Sequence, residues 1–286
     1  MGCPVPKVTK KGGGAALPWK QDLFKSILES AVNTANSVTT ELGVKPVPVT
    51  VKMRMGIDDD HLTYLEAGRA AANAGVTWVA LHARTAEQMY SGKAQWDGIK
   101  NLVEELKDLN VPVLGNGDIW SAQDALDMVK QTNCAGVVVG RGCLGRPWLF
   151  GQLAAAFAGK EIPKDPGLDV VALIIKRHAV LLCELYGEYK GIRDIRKHMA
   201  WYLKGFSVGN QLRTSLAMVE SLDNLDYLLA KLDTNQAFPE IIVDKPRGRV
   251  GSQKKVSLPH NWLNSRSIEK NEVKDLREAE SLVSGG

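Results

Sequence analysis

Cys3 stands between Gly2 and Pro4, a thiol with turn-forming neighbours, and the glycine run Gly12-Gly13-Gly14-Ala15 follows it. Glycines there read as the hinge of a loop that carries the thiol. Four further polar signatures come later: Lys52 in Val-Lys-Met-Arg, His82 followed by Ala83 and Arg84, the triplet Asn116-Gly117-Asp118, and Gly140-Arg141-Gly142. An ammonium, an imidazole and a thiol are groups that move protons or steady developing charge. Arg141 between glycines suits a phosphate, since the guanidinium binds it in a bidentate manner and the glycines let the backbone approach. Any one of these could be a plain strand-ending turn. Four in succession, with Lys and His among them, point to a site.

The elements that must position them alternate in type. Pro46 to Met53, Val76 to Leu81, Val111 to Leu114 and Gly136 to Val139 read as strands. Helical periodicity follows each, over Tyr64 to Asn73, Trp96 to Leu109, Ser121 to about Lys130, and from Arg146-Pro147 onward. Repeated strand-helix units predict a parallel sheet. Each strand ends in one of the polar signatures, and a (β/α)8 barrel builds its active site at the carboxyl ends of its strands, with phosphate bound after strands seven and eight. Counting back from Arg141 makes these strands five to eight, with Gly2-Cys3-Pro4 closing strand four. The expected fold is therefore α/β, the C-terminal half of a (β/α)8 TIM-type barrel over residues 1–160, followed by a helical domain over 165–235 and an irregular charged tail over 236–286. The expectation includes an N-terminal truncation, with two apolar sheet edges left open.

Composition is that of an ordinary soluble protein: 286 residues, 44% hydrophobic, 24% charged, net charge +4. No apolar run reaches the roughly 18 to 20 residues that span a bilayer, and no signal-peptide core is present, so the cytoplasm is the default. Cys3, Cys134, Cys143 and Cys183 match no zinc spacing and no disulfide framework, and neither a metal nor a membrane is expected. In the helical part, Asp169 to Tyr186, Ile192 to Lys204 and Leu222 to Leu232 read as helices. Arg193, Arg196 and Lys197 share a face of the middle one, as a solvated stripe or as contacts to phosphates. The tail carries Lys245, Arg247, Arg249, Lys254 and Lys255 and reads as flexible or surface-packed.

In order and spacing, the five motifs over about residues 1 to 235 resemble the dihydrouridine synthases, with the bacterial B-type branch nearest. The resemblance implies flavin-dependent reduction of uridine to 5,6-dihydrouridine in tRNA, with FMN as cofactor, NADPH as reductant, and a monomer acting on tRNA. It implies Cys3 as general acid, a role that a thiol of ordinary acidity, about 8.5, can fill because it stays protonated near neutrality. It further implies Lys52 at the flavin ring, and His82 with Arg84 near flavin and uracil. Asn116, Gly117, Asp118, Gly140 and Arg141 would cradle the ribityl phosphate, and Arg193, Arg196 and Lys197 would meet tRNA. A small-molecule flavin- or phosphate-binding barrel enzyme, or an inactive RNA-binding fragment, are the alternatives. Residues 1–286 alone are expected not to sustain turnover.

Overall fold

Pro46 and Pro48 have no N–H to give a sheet ladder, so the first strand begins only beyond them. In the computed structural model, which describes residues 1–243, 245–248 and 251–269, that strand is β1, Val51–Arg54. Ahead of it lie α1 (Pro6–Thr9) and α2 (Gln21–Leu42). After it the chain alternates: α3 (Tyr64–Asn73), β2 (Val79–His82), α4 (Trp96–Glu105), β3 (Val113–Asn116), α5 (Ala122–Thr132), β4 (Gly136–Val138) and α6 (Leu149–Phe157). The strands form one parallel sheet in the order β1-β2-β3-β4. Sequential order with a helix after every strand is the progression of a barrel wall. A doubly wound sheet would instead reverse its order at a switch point. All residues of β2 are buried, as a strand covered on both faces must be.

The backbone of Met1 and Gly2 runs beside β1, in the same direction. The Met1 nitrogen donates to Lys52 O at 2.5 Å, and a β-carbon built on Gly2 would lie 3.1 Å from Met53 C. Cys3 therefore emerges at the carboxyl end of the sheet, where a strand preceding β1 would end.

The chain separates into two compact units. The first holds 1–118, 127–138 and the described residues from 251 to 269; the second holds 119–126 and the described residues from 139 to 248. In the second, α7 (Leu168–Tyr186) and α8 (Glu188–Tyr202) form a helical hairpin that turns at Gly187, joined by α9 (Asn210–Ala217) and α10 (Leu222–Leu229). Leu168, Val171, Ile175 and Ala179 of α7 meet Ile192, Ile195 and Met199 of α8 in its core. Those i, i+3, i+4 spacings are the apolar stripes that made both helices legible. The α9 helix adds to the three expected from sequence; with two leucines in eight residues its periodicity is too short to read.

In the described part of the tail, residues 251–269 return to the first unit, and Trp262 is buried there. Arg249 and residues 270–286 of that expected tail lie outside the described residues. Among the described residues no helix is long and apolar enough to cross a membrane.

Candidate active site at the strand ends

Register decides which side chains meet. Arg54 pairs with His82, His82 with Asn116 and Asn116 with Val138, so the last residues of all the strands form one row across the carboxyl end of the sheet. Residues in one row point to one face, and Lys52, two positions before Arg54, shares that face. Arg54 is buried. Its Nε donates to Gly2 O at 3.1 Å, and its Nη1 donates to Thr85 O at 2.7 Å and Met89 O at 2.8 Å. This guanidinium thus ties the residue before Cys3 to the loop after β2. Lys52 keeps an open surface, yet its ammonium loses hydration to surrounding atoms and feels the charge of Arg54. Both effects lower its pKa, to about 8 from 10.5.

His82 is buried and lies beside Tyr90, with ring centroids 6.3 Å apart; the Arg54 guanidinium sits 5.5 Å from the Tyr90 centroid. Arg84, expected near flavin and uracil, gives its donors to the protein. Its Nη2 reaches both carboxylate oxygens of Asp118 at 2.9 and 2.8 Å and Gly92 O at 2.7 Å, while Nε donates to Ser91 O at 3.1 Å. Its Nη1 stands 3.4 Å from His82 Nε2. A guanidinium only donates, so in this contact Nε2 faces a donor. Arg84 accordingly orients the imidazole.

The turn after β3 is equally engaged. Asn116 Nδ2 donates to Val138 O at 2.7 Å, and Asp118 also accepts Ala94 N at 2.7 Å. Gly117 has φ +127°, and a β-carbon there would lie 2.7 Å from that of Ala94 and 3.2 Å from His82 Cδ2, so only glycine fits. With Asp118 turned to Arg84, the turn offers a ligand its backbone more than its carboxylate. Cys3, exposed, has its carbonyl bonded by Ala15 N at 3.0 Å, which closes the loop through Gly12 to Gly14. In the second unit, a tight turn over Arg141–Cys143 follows β4, and the Arg141 guanidinium lies 5.0 Å from the Trp120 centroid. The backbone at Gly142 passes so close to Ile119 O that a β-carbon would sit 2.1 Å from it.

The family model for dihydrouridine synthases matches residues 1–240, which hold all these positions. The chain belongs to the dihydrouridine synthase family. It is 55% identical over 263 residues to a probable tRNA-dihydrouridine synthase of Mycobacterium leprae, covering 92% of this chain and 66% of that protein. A protein of the same description from Mycobacterium tuberculosis is 54% identical over 263 residues, 92% of this chain and 65% of that one. The tRNA-dihydrouridine synthase B of Pasteurella multocida is 40% identical over 205 residues, 72% and 58% of the two chains. The chain thus spans just under two thirds of the length of its mycobacterial relatives.

In this dihydrouridine synthase family member the α8 cations differ among themselves. Arg193 is exposed, stacked 3.5 Å from the Tyr189 centroid. Lys197 is exposed and 3.4 Å from Asp194, a weak surface pair. Arg196 is half-buried, its Nε donating to Val219 O at 2.7 Å. Two residues of the strand-end site escaped the sequence reading: Arg54 and Tyr90. The i, i+2 spacing of Lys52 and Arg54 is the signal that points to the first. Tyr90 lies in a loop with no such period.

Proposed function

We propose that this protein serves the reduction of uridine in tRNA to 5,6-dihydrouridine. The observation that carries the reading is the placement of Arg54 and His82 in the strand-end row, with Lys52 two residues before Arg54 on the same face, Gly2 beside Cys3 held by buried Arg54, and His82 beside buried Arg84. These residues fit a flavin. An ammonium whose pKa is already lowered gains from an anionic ring edge, and Lys52 would face it, with His82 alongside. The Asn116-Gly117-Asp118 turn and the Gly140-Arg141 turn are the proposed holders of its phosphate. When bound as FMN and reduced by NADPH, the flavin supplies the hydride that one carbon of the uracil double bond receives.

The other carbon needs a proton, and Cys3 Sγ is proposed to hold it. The thiolate left behind stands in an exposed position, where water can return the proton. Tethering by Arg54 through Gly2 O limits how far the thiol can wander. Arg193, Arg196 and Lys197 are proposed as contacts to tRNA phosphates, with Arg196 the least available of the three.

The test is Cys3→Ala in a form extended to the length of the mycobacterial relatives, assayed on unmodified tRNA. Bound flavin should be unchanged while dihydrouridine formation falls on the order of 10²- to 10⁴-fold, the usual worth of a general acid. Normal turnover in that variant removes Cys3 from the mechanism. No dihydrouridine from the unsubstituted extended form overturns the function itself.

A further inference from the structure

The loop that carries Cys3 has a floor, and the floor comes from the far end of the chain. Trp262, 1% exposed, lies under the glycine run: a β-carbon on Gly12 would stand 2.5 Å from indole Cη2. Its Nε1 donates to Ala16 O at 3.1 Å. Lys20, 0% exposed, sits 4.9 Å from the Trp262 centroid, and its Nζ donates to Ser265 O and Ser267 O, both at 3.1 Å. The start of α2 is closed by the same segment, since Gln21 N donates to Arg266 O at 2.8 Å and Ile268 N to the Asp22 carboxylate at 3.0 Å.

Earlier residues of that segment hold a second loop. Lys254 N donates to Glu87 O at 2.9 Å and Gln253 Nε2 to Glu87 Oε2 at 2.8 Å, while a β-carbon on Gly251 would lie 3.3 Å from Tyr90 N. That loop presents Tyr90 to His82. One stretch of irregular chain therefore touches both loops that frame the strand ends. A buried ammonium loses its hydration and is kept only where its acceptors are fixed. Two carbonyls of this segment, Ser265 O and Ser267 O, are among those acceptors.

We infer that residues 251–269 form a strap that sets the stance of the Cys3 loop, with Trp262 and Lys20 as positioning residues. The inference rests on the reading of Cys3 as the proton donor, but its contacts can be tested without turnover. Trp262→Ala opens a space under Gly12. Trp262→Phe keeps most of the ring and loses the bond to Ala16 O. Lys20→Met removes the clasp on Ser265 and Ser267.

The measurement is the rate of Cys3 alkylation by iodoacetamide at one fixed pH in the 286-residue chain. It is read by peptide mass spectrometry against half-buried Cys143 of the same molecule. Trp262→Ala and Lys20→Met should shift the Cys3 rate relative to Cys143 on the order of tenfold, with Trp262→Phe restoring most of the difference. In the extended form the same substitutions should lower kcat with KM for tRNA and flavin content unchanged. A lowered melting temperature with unaltered Cys3 alkylation in Lys20→Met and Trp262→Phe, and in Trp262→Ala if it folds, reduces the strap to packing and overturns the inference. If Cys3→Ala turns over normally while the strap variants still shift alkylation, the donor reading fails and the strap stands.

Discussion

Around the strand ends of the first unit, Arg54 and Arg84 are 4% and 1% exposed and bind main-chain carbonyls and one carboxylate. Along α8 of the second unit, Arg193 and Lys197 stand in solvent, one on a tyrosine ring and one near an aspartate three residues away. The same chemical groups do different work. A guanidinium buried against carbonyls fixes where loops lie, and removing it strands its partners without water. The exposed cations bond within their own helix, Arg193 Nη1 to Tyr189 O at 2.9 Å and Lys197 Nζ to Asp194 Oδ1 at 3.4 Å. They offer charge that salt can screen, which suits an extended anionic partner and contributes little to the fold.

That contrast can be broken by stability measurements. Arg84→Met should destabilise the protein by about 3–5 kcal/mol, because it leaves Asp118 partly buried without its counter-charge. Arg193→Met should change stability by no more than about 0.5 kcal/mol. Denaturant melts of the two variants decide it, and equal losses would erase the distinction. Next in size is Arg141→Ala. Losing a charge-assisted phosphate contact should weaken FMN binding to the apo-protein by about 2–3 kcal/mol, roughly 30- to 150-fold. Wild-type affinity would send the phosphate elsewhere.

Lys52 sharpens the picture through pH. Its pKa of about 8 means that the free protein loses this positive charge as pH rises past that point. An anionic ligand binds the charged form and raises the pKa, so FMN affinity should fall on the order of tenfold between pH 7 and 9. Lys52→Met should bind more weakly at pH 7 and lose the pH dependence; a dependence that persists would belong to another group. The smallest effect concerns tRNA. Neutralising Arg193 and Lys197 should lower the salt slope of tRNA binding by about 2, and adding Arg196 should change it little more, since Arg196 is already engaged with Val219 O. A full further step on removing Arg196 would show that it leaves that carbonyl to meet phosphate.

Much of the site was legible because strand ends announce themselves. His82 and Asn116 each close an apolar run, and the parallel register brings them to one edge with Arg54, two residues beyond Lys52. The bounds of α3, Tyr64 to Asn73, coincide with the sequence reading, since its small and apolar residues keep one period throughout. What stayed hidden depends on contacts that no local pattern encodes. Arg54 finds acceptors 31, 35 and 52 residues away. Trp262 reaches Ala16 from 246 residues away, from a stretch without periodicity that read as tail. The role of Arg84 was hidden for the same reason: its spacing places it near His82, but only the folded loop turns it onto Asp118, Ser91 and Gly92.

The aligned row of Arg54, His82, Asn116 and Val138 has a consequence for how such a chain can vary. Side chains alternate faces with each residue of a strand, so dropping one residue inside β2 would bring Ala83 to the place of His82 and turn the imidazole away. The core around it could survive conservative exchange of Val79 or Leu81, yet the site would not survive a change in count. Insertions and deletions should therefore gather in the connections at the opposite ends of the strands, while the distance along the chain from Val79 to His82 stays constant. Alanine insertions walked through β2 and through the turn before it would trace that boundary at single-residue resolution.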